Sequence, residues 1–376
     1  MKSIIYTITA ILAGLLMFLT VSCSDMMEDY SKFAGISEKK EVTDDGITDP
    51  GNGDNGAPSA IFVLNVDNGL QISDNGGMDF TKFTVHEEGE FEQNFHVNSN
   101  GNIMITYGNN RTHIAAIDAE PANSNSFWPD EIGIGEYSIT GPAASVPGVE
   151  FFVLMGVDDG IYYSYDLLRF PTTDQADAIS VLPNIFPETD PGEVSLWAFE
   201  LNGNILIFAY DNFTDILQVL GSDDGENFDS FEVMFTPDKH WGIVDIAVTG
   251  NEIFVGAKDG DGGGIIYKAT YSTGDDDILF DEIHTTTGDS PYLAVTPGGR
   301  IYSVDDSFHI IYSDDEGASW TDGAGITNNI SGLATDYNAR LYILGPPATG
   351  LEFSDHGDDI DTLNSGISGW KFQIVD

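Results

Sequence analysis

Oxygen-bearing side chains recur at the tips of short apolar runs along this 376-residue chain: Asp67-Asn68, Asn109-Asn110-Arg111, Asp166, Asp211-Asn212, Asp259-Gly-Asp261 and Asp305-Asp306. Gathered on one rim, such carboxylates and amides could hold Ca²⁺ or hydrogen-bond the hydroxyls of a sugar. Trp128, before Pro129-Asp130, and Trp241, after Asp238-Lys239-His240, could stack on sugar rings if exposed. The competing explanation is local, because Asp and Asn are also what tight hairpin turns use. Asp259 and Asp261 are the best cation candidates, but they form only a fragment of a Ca²⁺ loop and lack its distal glutamate. The seven histidines make no close pair and no His-Glu-x-x-His, which disfavours zinc. No Gly-rich phosphate loop and no Ser-His-Asp ordering stands out. Among 62 acids, spacing singles out no pair for glycoside hydrolysis and vetoes none.

These residues sit between strands that repeat. Ile61-Phe-Val-Leu, Ile103-Met-Ile-Thr-Tyr, Ile161-Tyr-Tyr-Ser-Tyr, Ile205-Leu-Ile-Phe, Ile253-Phe-Val-Gly, Ile301-Tyr-Ser-Val and Leu341-Tyr-Ile-Leu start at intervals mostly in the forties, several after a Gly- or Asn-bearing turn. A period of that length with strand and turn signals predicts an all-β chain of propeller blades, with each marker run the second strand of its blade. Seven blades follow, or six if the irregular region 142–181 is not a full blade. The first blade opens without an innermost strand, and Ile367-Ser-Gly-Trp-Lys-Phe echoes the innermost strand at Ile330-Ser-Gly-Leu-Ala-Thr. Trp370–Val375 is therefore expected to complete blade 1 and close the ring, which removes two free sheet edges. In that frame the oxygen-rich turns and the two tryptophans fall on the face built by the second-to-third-strand loops and the connections between blades, over the central channel. The expected ligand set there is Asp67, Asn110, Arg111, Trp128, Asp166, Asp211, Trp241, Asp305 and Asp306.

A second motif lies at other turns. Ser313-x-Asp315-x-Gly317-x-x-Trp320 and Ser73-x-Asn75-x-Gly77-x-x-Phe80 share one spacing. Ser222-Asp-Asp-Gly225-x-x-Phe228 is one residue short, and Ser272-Thr-Gly-Asp275 and Ser354-Asp-His-Gly357 are decayed versions. The Ser and Asp side chains can bond backbone N–H groups within the turn, Gly supplies positive φ, and the aromatic residue anchors the turn on the apolar layer. The pattern resembles the Asp-box (BNR) repeat of sialidase-like and sortilin-like β-propellers. That resemblance implies turns between third and fourth strands, on the face away from the ligand, and a structural role for Asp315. It also invites a sialidase reading, whose chemistry needs three arginines on a carboxylate beside a tyrosine nucleophile. The chain has four arginines, and Arg300 and Arg340 occupy one repeat position that suggests a structural task. Sialidase is therefore disfavoured, and other glycosidase or lyase chemistry stays open.

Charge bounds the partners. With 62 Asp+Glu against 13 Lys+Arg the formal charge is −49, a surface that repels nucleic acid and anionic polymers and favours cations, cationic proteins or neutral ligands. The single cysteine makes an internal disulfide impossible. It follows Lys2 and an apolar run from Ile4 to Val21, and this arrangement resembles a bacterial lipoprotein signal peptide over residues 1–22 with Cys23 as the lipidated N-terminus. Residues 23–57 read as a flexible acidic tether and 58–376 as the propeller. The expectation is a lipid-anchored outer-membrane protein, exposed at the cell surface, whose propeller recognises a glycan or an envelope protein, with Ca²⁺ as a candidate ligand and a scaffold role in an outer-membrane complex as an alternative.

Overall fold

In a computed structural model, the structure describes residues 60–375 apart from 66–68, 84–91, 99–101, 108–110, 117–124, 129–130, 134–136, 146–150, 159–161, 172–176, 191–193, 237–239, 289, 306–308, 327–329, 337, 346–349, 365–368 and 370. Cys23, the signal segment, the tether, Asp67, Asn110, Asp306 and Trp370 lie outside the described residues.

The described residues form 28 strands that sort into seven four-stranded units, each an antiparallel blade. The innermost strands of blades 1 to 7 are Lys371–Val375, Glu92–Val97, Ile139–Ser145, Val194–Leu201, His240–Thr249, Ala294–Val295 and Gly332–Thr335. Each touches the next, and the seventh touches the first, so the blades stand around a central channel as a β-propeller. Closure uses the two chain ends. Lys371–Val375 pairs antiparallel with Ala60–Asn65, with Ile61 opposite Ile374 and Leu64 opposite Lys371. Gln373 adds a clasp to blade 2: its Oε1 accepts Val97 N at 2.9 Å and its Nε2 donates to Val97 O at 2.5 Å.

The reason for the repeat lies in burial. A second strand is covered by a neighbouring blade on both faces, so it is apolar continuously rather than in alternation. Ile61–Leu64, Ile301–Val304 and Leu341–Leu344 are buried throughout. An outer strand such as Asp229–Thr236 meets water on one face and alternates instead. Seven apolar layers fill the seven gaps. One joins Phe62 and Leu64 to Phe95 and Ile105 across blades 1 and 2, and another joins Ile61 and Val63 to Tyr342 and Leu351 across blades 1 and 7. Burial of five to sixteen apolar side chains per gap, at about 1.5–3 kcal/mol each, is the term that holds the ring shut.

Blade 3 departs from the expected register. Its second strand is Phe151–Asp158, and Ile161-Tyr-Tyr-Ser-Tyr leads into the third strand, Tyr163–Phe170. Phe151–Met155 is wholly buried whereas Tyr163, Ser164 and Asp166 are partly exposed, so burial on both faces belongs to the earlier run. Asp166 is therefore a mid-strand residue and does not belong to a loop over the channel. Residues 142–181 do carry a four-stranded sheet. Blades 4 and 5 are further joined at the circumference, where Glu232–Thr236 pairs in parallel with Asp277–Asp281 and makes one eight-stranded sheet. This pairing covers two outer edges that would otherwise be open.

Candidate functional site

The two faces of the ring are built differently. On one, four turns between third and fourth strands share a seat made by a serine hydroxyl. Ser73, Ser222, Ser313 and Ser354 are buried, and their Oγ atoms accept Gly77 N, Gly225 N and Gly317 N at 2.8 Å and Gly357 N at 2.7 Å. In the fullest version Asp315 Oδ1 accepts Ser313 Oγ at 2.8 Å and Ser319 N at 2.8 Å, while Oδ2 accepts Ser319 Oγ at 2.6 Å. These bonds, led by the Ser319 hydroxyl, pull the Asp315 carboxyl below its ordinary range. Asn75 does the same for Ser73 and Asp79 N.

Each such turn rests on the preceding blade. Gly317 has φ +90°, and a Cβ there would lie 2.3 Å from Ile283 Cδ1 of blade 5; one at Gly77 would lie 2.5 Å from Leu363 of blade 7. Trp320 stacks on His284 with centroids 4.8 Å apart, and Phe228 meets Phe152 edge-on at 5.7 Å. Arg300 and Arg340 belong to this face. Arg300 Nε and Nη2 grip Asp314 at 2.6 and 2.9 Å, and its Nη1 reaches His356 O of blade 7 at 2.9 Å. Arg340 Nε donates to Asp355 at 2.7 Å. Arg169 is buried in blade 3, with its guanidinium against Gly225 of blade 4. Three of the four arginines thus tie turns and blades together, away from any shared carboxylate pocket.

The opposite face carries the second-to-third-strand loops and the inter-blade connections. Here a cleft of about 260 Å³ opens between blades 4 and 5, lined by Ser195, Tyr210, Asn212, Gly242, Ile243, Val244, Lys258, Ser290 and Tyr292. Close backbone packing shapes it. A Cβ at Gly256 would fall 2.0 Å from Pro291 O, so only glycine lets the connection from blade 5 to blade 6 lie down and bring Ser290 and Tyr292 to the cleft. Tyr210 Oη donates to Asp215 at 2.7 Å, and burial together with that carboxylate pushes its phenol well above the ordinary range. Beneath the lining, Asp245 accepts Ile246 N at 2.9 Å and Leu293 N at 3.0 Å, and it also bonds Trp197. Burial pushes its carboxyl up to about 6 against the pull of those bonds.

The expected ligand residues fare unequally. Arg111 and Trp128 do come together: the guanidinium carbon lies 6.0 Å from the ring centroid, and Trp128 is 40% exposed. Asp211 is buried, and its Oδ1 accepts Thr189 Oγ1 at 2.5 Å and Phe213 N at 2.9 Å while its Oδ2 accepts Thr214 Oγ1 at 2.6 Å, so it organises a turn. Asp305 accepts His309 N at 3.0 Å, and Asp259 Oδ1 accepts Asp261 N at 3.1 Å. Asp166 accepts Tyr137 Oη and Asn184 N within its sheet. Trp241 lies in the innermost strand of blade 5. Among the described residues no group of three or more His, Cys, Asp or Glu gathers as metal ligands would. Reasoning from turns missed the cleft and an aromatic pair on the same face, exposed Phe213 (48%) with half-buried Tyr162, their centroids 5.7 Å apart. The available signal was aromatic: Tyr162 and Phe213 stand in loops between strands.

No family model matches the chain, and no curated protein does. Among solved structures it is similar to the Dos1 propeller, at 11% identity and a TM-score of 0.50 over 82% of this chain and 81% of that one. It is also similar to YCF48 bound to D1 peptide (13%, 0.44, 71% and 78%) and to the GH74 xyloglucanase of Xanthomonas campestris (12%, 0.39, 81% and 56%). Topology and likeness together make the chain a β-propeller. At such identities they settle the fold alone, and function has to be argued from the site.

Proposed function

We propose that this protein is an exported, lipid-anchored β-propeller that recognises a glycan on the loop face without transforming it. The observation that carries the reading is the cleft between blades 4 and 5. Its described lining offers hydroxyls from Ser195, Ser290, Tyr210 and Tyr292, the Asn212 amide and the Lys258 ammonium, with Phe213 next in the chain to Asn212. Several hydrogen-bonding groups converging next to an exposed phenylalanine suit a sugar, whose edges are polar and whose faces are apolar. That lining presents donors and acceptors rather than two opposed carboxylates, which favours binding over hydrolysis. The Asp-box-like turns lie on the other face and are free to be architecture. Cys23 would hold the chain to the membrane, and the tether would let the cleft range over neighbouring material.

A glycan array with parallel product analysis, run with and without EDTA, tests this. Retention of a glycan without product, weakened when Tyr292 or Phe213 becomes Ala, is expected. Release of product from any retained glycan would overturn the non-catalytic reading, and loss of binding in EDTA would restore Ca²⁺. Cys23→Ser should move the protein from the membrane fraction to the soluble one; unchanged fractionation would remove the lipid anchor.

A further inference from the structure

The loop-face mouth of the channel holds a second constellation, across the ring from the cleft and independent of it. The innermost strands of blades 1 and 2 touch there. Lys371 stands opposite Leu64 and Asn94 opposite Thr106, both at the strand ends that lead into second-to-third-strand loops. In Glu92–Val97 the alternation sends Phe95 and Val97 into the apolar layer, while Asn94 and His96 occupy the alternate positions and stay partly exposed. Lys371 Nζ donates to Asn94 Oδ1 and lies 5.6 Å from the centroid of the Phe95 ring.

Among the described residues this ammonium meets no counter-charge. The chain has 62 acids for 13 bases, and Lys268 on blade 5 shows the ordinary outcome, with Glu316 at 2.8 Å and Glu252 at 3.2 Å. Lys371 is paired with no carboxylate among the described residues; its polar partner is the side-chain oxygen of an amide. That oxygen also accepts Phe95 N at 2.9 Å, so the two N–H donors of Asn94 remain to serve a ligand beside the ammonium. Gln373 is committed to Val97 through both ends of its amide. Burial pulls the Lys371 ammonium down to about 8, and burial with Lys371 nearby pulls His96 down to about 3, so the imidazole is neutral. Enclosing a cation is costly unless an opposite charge meets it, and no described residue supplies one, which leaves the place for a ligand's charge.

We propose that Lys371 and Asn94 form a binding site at the channel mouth for a singly charged carboxylate, such as that of a uronic acid or a peptide C-terminus. One ammonium beside a neutral imidazole balances a single negative charge, and the field of a −49 protein, which opposes any anion, opposes a dianion about twice as strongly as a monoanion, so the local ammonium can offset only the latter. The ammonium and the amide together supply donors to both carboxylate oxygens.

The test is ¹³C-dimethylation of the lysines of the full protein, with NMR titration of the Lys371 signal, assigned by its loss in Lys371→Met. Without ligand that signal should titrate near 8. Acetate and galacturonate should shift it and raise its midpoint by about one unit, while galactose leaves it unmoved and phosphate binds more weakly. Asn94→Ala should weaken acetate binding roughly tenfold, the worth of one charge-assisted hydrogen bond. A signal that titrates at the ordinary lysine position and ignores acetate would overturn the site. So would an equal response to galactose, tighter binding of phosphate, or undiminished acetate binding in Asn94→Ala. Should Lys371→Met fail to fold, Lys371→Arg, which keeps the charge and loses the signal, assigns it instead.

Discussion

Asp245 offers a measurement in which the sign is fixed before the experiment. It joins three blades: its own backbone in blade 5, Leu293 N ahead of the innermost strand of blade 6, and Trp197 in blade 4. Burial raises its carboxyl from 3.8 to about 6, and the hydrogen bonds, each favouring the anion, do not cancel that. Between those two values the folded protein holds a proton that the unfolded chain has released. Stability must therefore fall as pH rises through this window, because the native state binds more protons than the unfolded one. The stabilisation is fully present below 3.8 and lost above about 6. Two units correspond to about 3 kcal/mol. Asp245→Asn cannot ionise, so the difference in unfolding free energy, native sequence minus variant, should drop by about 3 kcal/mol between pH 3.5 and pH 7. The other acids titrate in both proteins and cancel in the difference. Urea unfolding of the two proteins at four pH values across that range measures it. A difference that stays flat, or rises with pH, would refute the claim that burial outweighs the three bonds.

The turn face predicts a graded series. Gly317→Ala places a Cβ 2.3 Å from Ile283 at φ +90° and should cost about 2–4 kcal/mol in urea unfolding, whereas Ser313→Ala, which strands Gly317 N, should cost about 1–3 kcal/mol. Arg300→Ala removes contacts to Asp314 and His356 O, but both partners of the ion pair are partly solvated, so about 1 kcal/mol is expected, shrinking in 1 M salt. Ending the chain at Gly369 removes the strand paired with Ala60–Asn65 and leaves an edge; a lower melting temperature and concentration-dependent association in size-exclusion chromatography should follow.

What could be read in advance divides along physical lines. Second strands announce themselves because burial on both faces demands an unbroken apolar run, as in Ile205–Phe208 and Leu341–Leu344. The same rule explains the one displaced strand. Ile161-Tyr-Tyr-Ser-Tyr carries residues that favour strands, but Tyr162, Tyr163 and Ser164 are partly exposed, and residue type alone does not distinguish the run from the buried one at Phe151–Met155. Turn chemistry was legible because it is local: Ser313, Asp315 and Gly317 act within five residues of one another. The cleft was not legible, because Ser195, Lys258 and Tyr292 come from blade 4, blade 5 and the connection to blade 6 and meet only in the assembled fold.

Lys371 shows the same limit most sharply. In the sequence it is one cation ahead of a short alternating run, Phe372-Gln-Ile-Val, with nothing to separate it from a surface lysine. Its environment is created by ring closure, in which Lys371–Val375 pairs with Ala60–Asn65 and Gln373 engages Val97 of blade 2. Closure and the channel site therefore share one strand. A chain that seals its ring with Lys371 among the sealing residues places a positive charge at the channel mouth only in the completed fold. Asp211 and Asp305, expected as ligand residues, serve the turns that hold them, while the groups proposed to meet a ligand stand where blades meet.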